Sequence, residues 1–355
     1  GRVSSTTATS TRCWACRSRW RENRARTCET RSAAISAATR SSCATTATAA
    51  PPQDEPCPPR VFDRSPDLAA QTLYVAGGLY GNRPALDALL ELVARQPRPA
   101  AIVFNGDFHW FDVDDADFRH IAGEVLRHAA IRGNVETEIS GEESGAGCGC
   151  AYPADVSDAD VARSNEILDR LRATARRHPA HREALARLPM HLVARVGEAR
   201  VGIVHGDCAS LAGWGFSQDA LDDPAHRRWI ESGFRDARVD VFASSHTCLP
   251  ATRAFDFEHG RGVVANNGAA GMPNFAGERC GLVTRISAHA AGDALYGAKV
   301  AGAYVETLAV PYDESAWQSR FLANWPEGSA AHESYFRRIA QGPGFARARA
   351  LPVAA

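Results

Sequence analysis

Four short polar motifs, each closing or interrupting an apolar run, fix the order in which this chain presents its chemistry: Gly106-Asp107, Gly133-Asn134, His205-Gly206-Asp207 and Ser245-His246-Thr247-Cys248. A polar residue directly after a buried strand sits where strand gives way to loop, and in α/β folds such loops converge at one edge. A chain with this pattern is constrained to bring several strand ends together. Asp, Asn and two His on separate strand ends are the oxygen and nitrogen donors that a divalent metal takes. Upstream, where a further acid and His would extend such a set, stands Gly77-Gly78-Leu79-Tyr80-Gly81-Asn82.

The pattern between the motifs gives the fold class. Leu73 to Ala76 reads as a buried strand. Pro84 then suits the first turn of a helix with Leu86, Leu89, Leu90 and Val93 on one face. Ala101 to Phe104 is the next strand, which completes a βαβ unit. A second amphipathic helix carries Phe118, Ile121, Val125 and Leu126. Residues 140–156 form a Gly-rich loop with Cys148-Gly149-Cys150, and helical pattern returns at 158–177 and 180–188. Beyond Met190 the character changes to strands at 191–196, 200–204, 239–244, 251–257, 262–265, 281–286 and 304–310. Gly197-Glu198 and His259-Gly260 serve as hairpin connections. Trp317, Phe321 and Trp325 precede a closing helix around 331–340, and the chain has no internal repeats. βα units followed by hairpins imply two sheets packed face to face with helices outside.

Composition excludes several classes. At 355 residues with 45% hydrophobic content the chain can bury a large core, and no apolar run approaches the roughly 18 residues of a membrane span. The formal net charge of −1 argues against a dedicated nucleic-acid binder. Residues 1–58, rich in Ser, Thr, Ala and Arg, have no hydrophobic period, so they are expected to be a disordered or spurious extension. Cys13-x-x-Cys16 within it lacks the second pair of a zinc ribbon, and Pro51-Pro52 and Pro58-Pro59 mark a linker. Ten cysteines without framework spacing, and no secretory pattern at the start, lead to the expectation of a cytoplasmic protein. The expected division is the extension, a main domain at 59–312 and a helical C-terminal extension at 313–355.

Taken together, Gly106-Asp107, Gly133-Asn134, the strand Val201 to Val204 with His205-Gly206, and His246-Thr247-Cys248 resemble the calcineurin-like metallophosphoesterases in order and approximate spacing. The segment from Leu73 to Leu92 is similar to that family's opening strand, loop and helix, which normally carries Asp-x-His-Gly-Asn. Asn266-Asn267-Gly268 resembles the turn after its last His motif. The resemblance covers roughly residues 72–290. It implies a four-layer α/β/β/α sandwich of two mixed sheets, and hydrolysis of a phosphate ester at a two-metal centre.

Carried over residue by residue, the family's ligands survive unevenly. Asp107 corresponds to the bridging carboxylate, and Asn134, His205 and His246 to the other ligands of the second metal. The first metal's Asp is Gly78, its first His is Tyr80 and its last His is Cys248; the family's acid His is Val135. The resemblance thus implies one divalent metal (Mn, Zn, Fe or Mg) at Asp107, Asn134, His205 and His246. A rebuilt first site would draw on Cys248 with His109, Asp112, Cys148 or Cys150. The alternative is an inactive scaffold that binds a phosphorylated ligand or protein partner.

Each residue also has a plainer reading: a turn Asp at 107, Gly-Asn turn chemistry at 134, satisfied core histidines at 205 and 246, an apolar Cys248 packed without metal. Asp207 either orients His205 or caps its own loop. Glu136 is either a supporting acid or a helix-start carboxylate. Tyr80 is expected to fill the vacated metal position. A loose echo of the dinucleotide fingerprint at Gly77-Gly78-x-x-Gly81 lacks the full pattern and leaves Asn134, His205 and His246 unexplained.

Overall fold

The computed structural model describes residues 57–141, 149–152 and 156–351; the N-terminal extension, Cys13, Cys16 and Cys148 lie outside the described residues. In chain order, β1 (Leu68–Ala70), β2 (Thr72–Ala76), α1 (Arg83–Ala94), β3 (Ala100–Asn105), α2 (Asp115–Val125), β4 (Ala129–Ile131) and α3 (Asn134–Ser140) form the βα half. Two further helices, α4 (Asp158–Arg176) and α5 (Pro179–Ala186), lead to the hairpin of β5 (His191–Val196) and β6 (Ala199–Val204). Then come α6 (Gln218–Leu221), α7 (Arg227–Ala237), β7 (Val241–Ser244) and the hairpin of β8 (Ala251–Phe257) and β9 (Gly260–Asn266). The run β10 (Gly281–Ser287), β11 (Tyr296–Val300) and β12 (Ala303–Val310) precedes α8 (Glu314–Asn324), a π turn at His332–Phe336 and α9 (Arg337–Gln341).

Two six-stranded mixed sheets result, with orders β1-β5-β6-β7-β9-β8 and β11-β12-β10-β2-β3-β4. β2, β3 and β4 run parallel, as do β6, β7 and β9. Strand alternation sends one face of each sheet inward. Leu73, Val75, Val103 and Ile286 of one sheet meet Val201, Ile203, Val241 and Val263 of the other in a dry middle layer. On one outer face Tyr74, Ile102, Phe104 and Val283 pack under helical residues such as Leu86, Leu89, Phe118 and Leu168. On the other, Val193, Phe242 and Val264 are covered by Ile230 and Phe234 of α7. The layers are therefore α/β/β/α, two mixed sheets with helices on both sides. Trp317, Phe321 and Trp325 of the C-terminal segment join the same core as α1 and α2.

Local sequence explains the helix starts. Asn82 accepts from the Ala85 N–H with Pro84 in the first turn of α1, and Asp114 accepts from the Ala116 and Asp117 N–H groups to open α2. No helix among the described residues is long and apolar enough to cross a membrane.

Candidate metal centre

The C-terminal ends of β3, β6 and β7 meet at one edge of the sandwich, and Asn105 joins the two sheets there. Its amide donates to the Val204 carbonyl at 3.2 Å, and its own carbonyl accepts from His205 Nδ1 at 2.9 Å. Gly106 lets the chain pass this point: a Cβ there, at φ +92°, would lie 2.5 Å from His205 Nδ1. Asp107 follows in the left-handed region at φ 51°.

Asp107, His205 and His246, all buried, offer ligand atoms within 4.8 Å of one another. His205 Nε2 lies 3.4 Å from Asp107 Oδ2, 3.0 Å from Asn134 Oδ1 and 3.1 Å from His246 Nδ1. The far ring nitrogens are both committed to carbonyls, His205 Nδ1 to Asn105 and His246 Nε2 to Cys150 at 3.2 Å. A carbonyl only accepts, so each of those nitrogens carries its proton and the inner nitrogen of a neutral ring presents a lone pair. The Asn134 amide nitrogen donates to Cys150 Sγ at 3.4 Å, which leaves its oxygen facing inward. Two imidazole nitrogens and two oxygens thus face one point with no protein donor between them. That donor set fits a divalent cation.

Electrostatics agree. Burial opposes the charge on His205, but the Asp107 carboxylate more than offsets it and raises the His205 pKa above 6.5. Burial would raise Asp107, yet His205 and His246 pull it below the usual carboxylate value. Burial together with the charge on His205 lowers His246 to about 3. The Asp107 carboxylate therefore favours a proton on His205 Nε2, and a metal ligated there must displace any proton that nitrogen holds. Metal affinity is expected to fall about tenfold per pH unit below the raised His205 pKa and to level off above it, with a proton released on binding. Metal titrations at several pH values, with proton release recorded, check this; a flat affinity from about pH 5 to 8 contradicts it.

Around the cluster, Glu136 is fully buried. Its Oε2 accepts from the Asp107 and Gly133 N–H groups at 2.7 and 2.9 Å, and its Oε1 from Phe108 and His109 at 3.1 and 3.2 Å. It clamps the Asp107 loop to the start of α3, which carries Asn134. Asp207 accepts from the N–H groups of Ala209, Ser210 and Gly215 and braces its own loop, while Asn105 orients His205. Trp214 stands edge-on to His246 at 5.5 Å between centroids and donates to the Cys150 carbonyl.

The neighbouring half of the site is filled by side chains. The Tyr80 hydroxyl is 2.8 Å from Cys248 Sγ, and Tyr80 is 4% exposed. A Cβ on Gly78 would lie 2.9 Å from the Tyr80 ring, so the phenol occupies the space an Asp side chain would enter. Burial, Cys248 and the charge of Asp107 hold the Tyr80 phenol well above 10, and burial raises the Cys248 thiol. Tyr80, Asp107 and Cys248 all have positive φ, a cost that persists only where the surroundings enforce it. His109 and Asp112 pair with each other at 2.6 Å, and His109 stacks on Phe118 at 4.3 Å. Cys150 reaches the cluster through its carbonyl and touches Asn134 through sulfur. Asn105, Trp214 and the Cys150 carbonyl were not foreseen; an Asn ending an apolar strand was the available signal for Asn105.

The profile of the calcineurin-like phosphoesterases matches residues 72–289, more than half of the chain. The chain belongs to that family. A hypothetical protein of Pyrococcus horikoshii OT3 has a similar structure, with a TM-score of 0.53 at 17% identity over 77% of this chain and 99% of that one. A metallophosphoesterase from Sphaerobacter thermophilus aligns with a TM-score of 0.49 at 16% identity, over 77% and 99% of the two chains. No curated protein matches the chain. Calcineurin-like phosphoesterases act on phosphate esters and generally bind divalent metals, and the Asp107, His205 and His246 cluster is a candidate site for one here.

Proposed function

We propose that this calcineurin-like phosphoesterase hydrolyses phosphomonoesters or phosphodiesters with a single divalent cation held by Asp107, Asn134, His205 and His246. The convergence of four acceptor atoms when both rings are neutral, with His205 Nδ1–H and His246 Nε2–H turned outward to carbonyls, carries the reading. A divalent cation bound there supplies Lewis acidity toward a phosphoryl oxygen and toward water. The chain's own residues fix the geometry: Asn105 and Cys150 hold the two rings in register, the Val135 N–H holds Asp107 Oδ1 at 3.2 Å, and Glu136 holds the loop beneath. Cys248, bonded to Tyr80, takes no ligand role in this reading.

The direct test is metal content of the purified chain, followed by assays of aryl phosphomono- and diesters with Mn, Zn, Fe and Mg. One equivalent of metal and metal-dependent turnover support the proposal. A chain that takes up no metal and stays inert overturns it. One observation favours the silent scaffold as a second reading: apolar, buried Val135 stands where the family's acid His is implied.

The filled half-site makes a further prediction. Gly78→Asp alone is expected to cost about 1–3 kcal/mol, because its side chain meets the Tyr80 ring. Combined with Tyr80→His and Cys248→His, it should raise the metal stoichiometry from one to two, as read by elemental analysis after dialysis. A triple variant that folds and still binds one equivalent would show that more than these three residues was lost.

A further inference from the structure

Arg338 on α9 reaches the filled side of the metal centre from the C-terminal segment. Its Nε donates to the Pro273 carbonyl at 3.0 Å and its Nη2 to the Cys248 carbonyl at 2.7 Å. Cys248 in turn bonds the Tyr80 hydroxyl through sulfur and follows His246 by two residues. The most deeply buried guanidinium groups answer a carboxylate: Arg253 pairs with Asp222 at 2.6 Å, Arg285 with Glu306 at 2.7 Å, and Arg172 with Glu138. Half-buried Arg200, by contrast, spends three bonds on backbone carbonyls and lies away from the cluster. Arg338 has no ion-pair partner among the described residues. A guanidinium has five N–H donors, and the two bonds to neutral carbonyls leave its charge uncompensated. Such a cation, half-buried and pinned in place, is suited to an anion that arrives from outside.

The packing around it shows why the charge lies there. Trp325 donates to the Phe111 carbonyl at 2.9 Å, and the Phe111 ring contacts Tyr80, Trp317, Phe321 and Tyr335. The C-terminal helices are thereby docked on the loop that follows Asp107, and α9 is delivered to Cys248. On this side Tyr80 and Cys248 are neutral groups where the family resemblance implies a cation. A phosphoryl group bound by one divalent metal alone keeps part of its charge unanswered.

We infer that Arg338 binds a non-bridging phosphoryl oxygen of the substrate and supplies, from the C-terminal segment, the positive charge absent from the filled half of the centre. The inference rests on the phosphoesterase reading above.

The test uses the full chain loaded with Mn, with inorganic phosphate as the binding probe in calorimetry and an aryl phosphate as substrate. Arg338→Gln should weaken phosphate binding and raise KM by about tenfold or more, the scale of a lost charge-assisted contact, with metal stoichiometry unchanged. Arg338→Lys, which keeps the charge, should recover part of that loss and serves if the Gln variant does not fold. A folded, metal-loaded Arg338→Gln chain with wild-type phosphate affinity and KM overturns the inference alone and leaves Arg338 as a clamp on two carbonyls. A wild-type chain that binds Mn but neither binds phosphate nor turns over ester overturns this inference together with the phosphoesterase reading.

Discussion

Asp107→Asn is expected to abolish hydrolysis and to weaken metal binding by more than about 100-fold, the upper range seen when only an outer partner of a ligand is removed. The substitution keeps the shape of the side chain, so the loss is not one of packing. Asp107 Oδ1 accepts from the Val135 N–H, and Oδ2 faces His205. An Asn here must keep its oxygen toward Val135, because turning the amide nitrogen that way sets two donors against each other. Its NH2 then points at the metal position, where a donor cannot ligate. The change also removes the charge that holds the His205 pKa up against burial, so His205 should titrate at lower pH in the metal-free variant. Equilibrium dialysis against Mn or Zn, with an ester assay on the same samples, reads the first effect, and imidazole chemical shifts against pH read the second. Wild-type metal affinity in a folded Asp107→Asn chain would remove Asp107 from the site.

How much of this was legible in the sequence depended on whether a residue acts alone or through an assembly. Asp107, Asn134, His205 and His246 stood out because each follows an apolar run, and the structure brings all four together. The βα half followed by hairpins gave the layer order, and most strand ends beyond Met190 fall close to where alternation placed them. Elements with weak patterns were not legible. β1 and β4 are three residues each, and β11 is a short edge strand with Gly297 and Lys299 in it. α7 buries Ile230, Gly233, Phe234 and Ala237 at helical spacing, and this stripe, short and partly built of Gly and Ala, was passed over among the strands expected beyond Met190. Around the site, the Asn105 link, the Cys150 carbonyl and the Arg338 guanidinium act over separations of about a hundred residues, where no local period signals them. Tyr80 is the instructive intermediate case: the family resemblance led to the expectation that it fills a ligand position, and the Cβ direction at Gly78 shows its ring lying where a side chain on residue 78 would enter.

Glu136 is where stability and site geometry are expected to fail together. Its carboxylate serves four backbone N–H donors, two per oxygen, in a position with no solvent exposure. Burial and the charge of Asp107 push its pKa up, while the N–H groups of Gly133 and His109 pull the other way. Glu136→Ala strips the partner from all four donors at once. With each unsatisfied buried N–H costing about 1–3 kcal/mol, and water entering the cavity to relieve part of that, the net loss is roughly 3–5 kcal/mol. Glu136→Gln does not escape it: whichever side its NH2 takes, it meets two N–H donors, so a loss of about 2–3 kcal/mol follows despite the matched shape. Because the clamp ties the Asp107 loop to the start of α3, the Gln variant should also bind metal about 10–100-fold more weakly, the usual effect of removing a ligand's support. Denaturant melts of the metal-free variants measure the first effect and metal titration of the folded Gln variant measures the second. If Glu136→Gln loses stability but keeps full metal affinity, the clamp holds the fold and leaves the position of Asp107 to the rest of its loop.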